Sequence, residues 1–171
     1  APLSRQDLLR VHGLFKNLTH LSKIFLKKMP LQHQGTHRIF LELGNVNLIL
    51  IYDDFASLTN FNFKADTWFL DGFSPKKNPH AWNDKLFEEV YKCTNSNGTL
   101  STFSVAGNIR RSLSRNNLTV LKIQGVGKKK EILYAFKNQK DNIIKLKSIS
   151  LKNTQPVAVI GSGVSGASLI Y

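Results

Sequence analysis

The sequence predicts an α/β fold: part of an open nucleotide-binding sheet, a linker, and then the first strand and turn of a second domain of that kind. Three observations predict it. Thr67-Trp68-Phe69-Leu70 is an apolar run that stops abruptly at Asp71, and such a run without polar alternation suits a parallel strand buried on both faces. Strand-like and helix-like segments alternate after it. Near the C-terminus, Val157-Ala158-Val159-Ile160 leads into Gly161-Ser162-Gly163-Val164-Ser165-Gly166, which fits G-x-G-x-x-G between a strand and a helix.

The elements follow in order. Ser4-Arg5-Gln6-Asp7 opens a helix, with a hydroxyl cap and an acid three residues later. Leu8, Leu9, Leu14, Phe15, Leu18 and Leu21 continue at roughly helical spacing, and Pro30 ends the region. Arg38 to Leu43 and Val46 to Tyr52 are strand-like runs joined by Gly44-Asn45, a hairpin signal. The second run ends in Asp53-Asp54. Ala81 to Cys93 is expected to be a helix with Trp82, Leu86, Phe87, Val90 and Tyr91 on its apolar face. Asn95 to Gly98 is expected as a turn, Thr99 to Phe103 as a strand, and Asn108 to Arg115 as a short helix. Leu118 to Ile123 and Ile132 to Phe136 are strands around a basic loop, Gly125 to Lys130. Residues 1–136 form one domain on this reading. Residues 137–156 are a lysine-rich linker ending at Pro156, and 157–171 begin the second domain.

A net charge of +13 on 171 residues implies attraction to polyanions, nucleic acid first among them. Diffuse lysines from biased base composition give the competing explanation. The sole cysteine, Cys93, can form no intrachain disulfide and has no partners for a metal cluster, so no metal and a reducing cytoplasm are expected. No run of about 18 apolar residues is present, so no membrane span is expected.

Ligands of open α/β sheets bind beyond the carboxyl ends of the strands. Asp71 is therefore placed for chemistry; the competing reading is that it caps a turn. In the terminal fingerprint Gly161 makes the tight turn, Gly163 admits a pyrophosphate, and Gly166 lets helix pack on strand. The helix that follows offers free N–H groups to the phosphate. No glycine-rich loop precedes Arg38, so the first strand of the earlier sheet and its cofactor loop are expected upstream of Ala1.

WFLDGFSPKKNPHAW, then GTLSTFSVAGNIRRSL, then GVGKKKEILYAF, resembles the methyltransferase half of the tRNA 5-methylaminomethyl-2-thiouridine biosynthesis bifunctional (MnmC) family. VAVIGSGVSGASL is similar to the entry into that family's FAD-dependent oxidoreductase half. The resemblance covers nearly the whole chain, and the long motif DGFxPxKNPxxW is its most specific part. Val105 and Asn108 depart from the family pattern.

The resemblance implies a partial Rossmann-like methyltransferase sheet and two steps on the wobble uridine of tRNA. The FAD half removes the carboxymethyl group of 5-carboxymethylaminomethyl-2-thiouridine. The other half then transfers a methyl group from S-adenosylmethionine to the exposed amine. Asp71 is expected to orient that amine or take its proton. Asp54 matches the position near the adenine of S-adenosylmethionine. Phe73, Lys77 and Asn78 match the acceptor pocket, and Arg110, Arg111, Lys128, Lys129 and Lys130 match basic positions facing tRNA. Gly161, Gly163 and Gly166 would serve FAD. These 171 residues alone are expected to bind neither cofactor tightly. A basic RNA-binding remnant without catalysis is the alternative.

Overall fold

The computed structural model describes residues 4–41, 45–54, 57–58, 62–72, 74–125, 129–137 and 157–160. The chain divides into two compact units, with the boundary between Asp54 and Phe55.

The first unit is a helical pair on a β-hairpin. Helix α1 (Arg5–His12) starts where expected, because the Ser4 side chain accepts from the Asp7 backbone N–H. Gly13 ends it early. A single 3-10 turn, Lys16–Leu18, then leads into α2 (Thr19–Lys28). Strands β1 (Gly35–Leu41) and β2 (Val46–Tyr52) pair antiparallel from Gly35↔Tyr52 to Leu41↔Val46. Leu8, Phe25, Leu26, Ile39 and Leu41 are buried together, with Leu48 and Leu50 against them.

This corrects one expectation. With residues 1–136 read as one domain, the strand ending in Asp53-Asp54 is expected in the same sheet as the later strands, but β1 and β2 form a two-stranded sheet of their own. The reason lies in the alternation: Leu48 and Leu50 face the helices while Ile49 and Ile51 are exposed. A strand with only one covered face is not a central parallel strand.

His12 is buried in this unit, and its Nδ1 lies 2.7 Å from the Ser22 Oγ. Burial pushes its pKa below the ordinary 6.5. The unfolded chain therefore binds the proton more readily than the folded one. The stabilising contribution is complete above pH 6.5 and is lost as pH falls through the lowered value. We expect a drop in melting temperature between about pH 7.5 and about pH 5 that His12→Leu flattens. Circular dichroism melts across that range check it.

The second unit holds a five-stranded sheet in the order β5-β6-β4-β3-β7. Strands β3 (Ala65–Leu70), β4 (Thr94–Thr102) and β7 (Val157–Ile160) are parallel. Strands β5 (Leu118–Gln124) and β6 (Glu131–Lys137) add an antiparallel hairpin at the β4 side. Helices α3 (Asp84–Cys93) and α4 (Gly107–Arg115) supply Leu86, Phe87, Val90, Ile109 and Leu113 to a core with Trp68, Leu70, Leu100 and Leu133. The expected burial of β3 on both faces is complete on one side only: Trp68 and Leu70 are buried, while Thr67 and Phe69 are half-buried.

Two further differences have local causes. The helix expected from Ala81 starts at Asp84, because Pro79–Ala81 is a 3-10 turn and Asn83 caps α3 through the Leu86 N–H. The turn expected at Asn95–Gly98 is an irregularity inside β4. Ala65 pairs with Thr94 but Thr67 with Thr99, and Asn97 takes the left-handed φ of 71° that absorbs the extra residues. Gly98 is required beside it: a Cβ there would lie 2.9 Å from the Asn95 carbonyl oxygen and 3.2 Å from that of Ala65.

Residues Val157–Ile160, expected to open a second domain, form β7 beside β3, with Thr67↔Val157 and Leu70↔Ile160 in register. Most of the linker, residues 138–156, and the glycine fingerprint lie outside the described residues. No helix among the described residues is long and apolar enough to cross a membrane.

Candidate active site

The site is built at the carboxyl edge of the parallel strands. Leu70 and Thr102 are register partners, so Asp71 and Phe103 leave the sheet side by side. Asp71 is half-buried, and its Oδ1 accepts from the Gly72 N–H at 2.9 Å. The carboxylate thus holds its own turn as well as pointing out of the strand end.

The segment after it is turn chemistry throughout. The Ser74 carbonyl accepts from the N–H groups of Lys77 (2.8 Å) and Asn78 (3.0 Å), with Pro75 at the corner. The Asn78 carbonyl then accepts from Ala81, and the Pro79 carbonyl from Trp82. Asn83 closes the run by capping α3. Lys77 is left exposed and Asn78 half-buried.

Trp82, expected as core, is only half-buried and joins the site to α3. Its ring lies 6.4 Å from that of Phe87 and meets Phe103 nearly edge-on at 6.1 Å and 87°. A Cβ built on Gly72 would lie 4.0 Å from the Trp82 ring, which puts the indole directly behind the Asp71 turn. The Lys129 Nζ lies 5.7 Å from the Phe103 ring centroid. Sequence reasoning missed Phe103. The available signal was its place one residue past a strand end, matching Asp71.

The other basic positions separate by role. Arg110 and Arg111 are exposed on α4 and line an open cleft of about 530 Å³ with Ser114, Arg115 and Val120. Arg115, also missed, is held by Asp84 at 3.0 and 3.1 Å, and Asp84 accepts from Ser112 as well. Lys130 is exposed, and its carbonyl accepts from the Gly125 N–H to close the loop base.

Two lysines serve the fold instead. Lys137 donates to the Tyr91 and Thr94 carbonyls at 2.8 Å each and lies 4.2 Å from the Tyr91 ring centroid. Lys64 donates to the Lys92 carbonyl. Cations at a helix C-terminus satisfy its free carbonyls and oppose its dipole. Burial, then the neighbouring Lys64 charge, pushes the Lys137 pKa down. We expect Lys137→Met to cost about 1–2 kcal/mol by unpairing those carbonyls. A urea titration checks the cost.

Asp54 lies at the end of the first unit. The Asp53 Oδ1 accepts from the Asp54 N–H at 2.8 Å and from the Gln34 side chain at 3.1 Å. The Asp54 side chain is exposed. Phe73, Lys128, Gly161, Gly163 and Gly166 lie outside the described residues. Among the described residues no cluster could hold a metal ion. Cys93 is buried, and burial pushes its thiol pKa up, which makes it a poor nucleophile.

A parallel sheet with an antiparallel edge hairpin, and a carboxylate at the tip of one parallel strand, is a Rossmann-like nucleotide-binding arrangement. The chain belongs to the family of S-adenosyl-L-methionine-dependent methyltransferases, whose pattern matches residues 16–138. It is 37% identical over 99% of its length to the tRNA 5-methylaminomethyl-2-thiouridine biosynthesis bifunctional protein MnmC of Hahella chejuensis (strain KCTC 2396). It is 32% identical over 99% of its length to the protein of the same name in Marinomonas sp. (strain MWYL1). The chain spans 27% of the length of each of these relatives. In fold it is similar to the crystal structure of MNMC2 from Aquifex aeolicus, with a TM-score of 0.57, 24% identity, and coverage of 70% of this chain and 37% of that one.

Proposed function

We propose that this chain is the methyl-transfer part of a bifunctional enzyme of the tRNA wobble uridine. On this reading its oxidoreductase half removes the carboxymethyl group of 5-carboxymethylaminomethyl-2-thiouridine, with FAD. The methyltransferase half then converts the 5-aminomethyl product to 5-methylaminomethyl-2-thiouridine. The observation that carries the reading is the half-buried carboxylate of Asp71 at the tip of β3, inside a segment that resembles the DGFxPxKNPxxW motif of that family, in a chain 37% identical to a protein of that name.

S-adenosylmethionine supplies an electrophilic methyl group on a sulfonium. The acceptor amine must present a free lone pair in line with it, yet an alkylamine is mostly protonated near neutral pH. The Asp71 carboxylate suits the task. It takes a proton from the ammonium, which frees the lone pair, and accepts a hydrogen bond from a remaining N–H, which aims that lone pair at the methyl group. The C–N bond then forms as the C–S bond breaks, and the product is the secondary ammonium. A half-buried carboxylate at the strand end fits a cationic sulfonium and an amine. Asp54 is assigned to the adenine amino group, and Phe73, Lys77 and Asn78 to the rim of the acceptor pocket. Arg110, Arg111, Lys128, Lys129 and Lys130 are assigned to tRNA phosphates. Residues 157–171 are assigned to the start of the oxidoreductase half, with Gly161, Gly163 and Gly166 on the FAD pyrophosphate.

Nucleoside mass spectrometry tests the reading in a strain lacking its own family enzyme and carrying the full-length gene for this chain. Appearance of 5-methylaminomethyl-2-thiouridine supports it. Accumulation of the aminomethyl compound refutes the methyl-transfer assignment. Persistence of the carboxymethylaminomethyl compound refutes the oxidoreductase assignment.

A further inference from the structure

Two aromatic rings beside the Asp71 turn keep part of their surface open. Trp82 packs against the core of the second unit and Phe103 against Trp82, and both are only half-buried. Phe103 meets Trp82 edge-on, so one edge of its ring is backed and a face is left for another partner. Its neighbour in register terms is Asp71, since both follow the Leu70↔Thr102 pair. Lys129 reaches the ring from the β5–β6 loop, at 5.7 Å. A partly open aromatic ring with a cation over it is a recurring pair for holding unstacked nucleobases. The base stacks on the ring, and the cation takes the adjoining phosphate.

We propose that Phe103 is the stacking platform for the acceptor base and that Lys129 binds the phosphate flanking it. The proposal deepens the RNA-modifying reading above and rests on it. A pyrimidine lying on Phe103 has its C5 substituent at the ring edge, so an amine carried there extends toward the Asp71 side of the site. Without RNA the Lys129 ammonium uses the same ring as a cation–π partner. An exposed contact of that kind is weak and exchanges readily for a phosphate. Flipped bases are held in this way by enzymes that act on them, between aromatic or apolar side chains.

The test measures binding of the 171-residue chain to a short single-stranded oligouridylate and to an abasic oligomer of equal length, by fluorescence anisotropy without cofactor. The native chain is expected to bind the base-bearing oligomer about tenfold more tightly or better. Phe103→Leu should remove that preference and leave abasic binding unchanged, while Phe103→Tyr keeps it. Phe103→Met, which preserves more of the apolar volume, replaces the leucine variant if that variant misfolds. Lys129→Gln should weaken both oligomers alike and lower the salt slope by about 0.7, the value for one phosphate on a single strand. Equal affinity of the native chain for the two oligomers overturns the proposal. So does a preference that survives Phe103→Leu, an unchanged salt slope in Lys129→Gln, or no binding at all. Binding as expected, with no methylated nucleoside from the full-length gene, would refute methyl transfer and leave the platform standing. The methylated nucleoside without base-dependent binding would refute the platform alone.

Discussion

Asp71→Asn is expected to lower methyl transfer by about two to four orders of magnitude, the range for removing a positioned proton acceptor. The substitution is well suited to the question. Asparagine keeps an oxygen where the Asp71 Oδ1 accepts from the Gly72 N–H at 2.9 Å, so the turn survives. What disappears is the charge and the capacity to take a proton from the amine. The readout is accumulation of 5-aminomethyl-2-thiouridine in tRNA, with the melting temperature and RNA affinity of the chain unchanged. A variant that methylates at the native rate would reduce Asp71 to the turn-holding role that its Gly72 contact already performs. A variant that melts early would say the same by another route.

How much of this was legible in sequence depends on the range of the interactions. Ser4 capping Asp7 and the alternation of β1 and β2 are set by neighbours a few residues apart, and such signals survive in a linear pattern. The run Thr67–Leu70 ending at Asp71 likewise predicted a parallel strand tip, and β3 ends there. What failed was non-local. Nothing in Val46 to Tyr52 says that its partner is β1 alone, because sheet membership is decided by which strand comes alongside. Asn95–Gly98 has turn composition and even a left-handed Asn97, yet those residues sit within β4 because Ala65 and Thr67 pair across them. Phe103 and Arg115 were invisible for a similar reason. Their meaning comes from Trp82, Lys129 and Asp84, which only the fold brings near. Charge was the most ambiguous signal. Lys137 and Lys129 look alike in a sequence, and both lie over aromatic rings, but one donates to the carbonyls at the end of α3 while the other is exposed beside Phe103.

Phe87→Ala is expected to cost about 3–5 kcal/mol, the usual range for truncating a buried aromatic ring. Phe87 is fully buried in the middle of α3, among Trp68, Leu100, Ile109, Leu113 and Leu133. It therefore ties α3 to α4 and to the sheet at once, and no exposed face lets the void collapse. Against a typical total of about 5–15 kcal/mol, the loss would leave the second unit close to its limit. Urea denaturation should show a lower midpoint with an unchanged slope. A cost under about 1 kcal/mol would mean that the core is not packed as described. Trp68→Phe makes the opposite case in the same cluster. The Trp68 Nε1 is buried without a hydrogen-bond partner among the described residues, a cost of about 1–3 kcal/mol that the smaller ring removes. That gain offsets the lost contacts, so Trp68→Phe is expected to be nearly neutral. Because the Phe87 ring also backs Trp82 at 6.4 Å, Phe87→Ala should in addition loosen the platform at Phe103. Its loss of base-dependent RNA binding should then appear at denaturant concentrations where the chain is still folded.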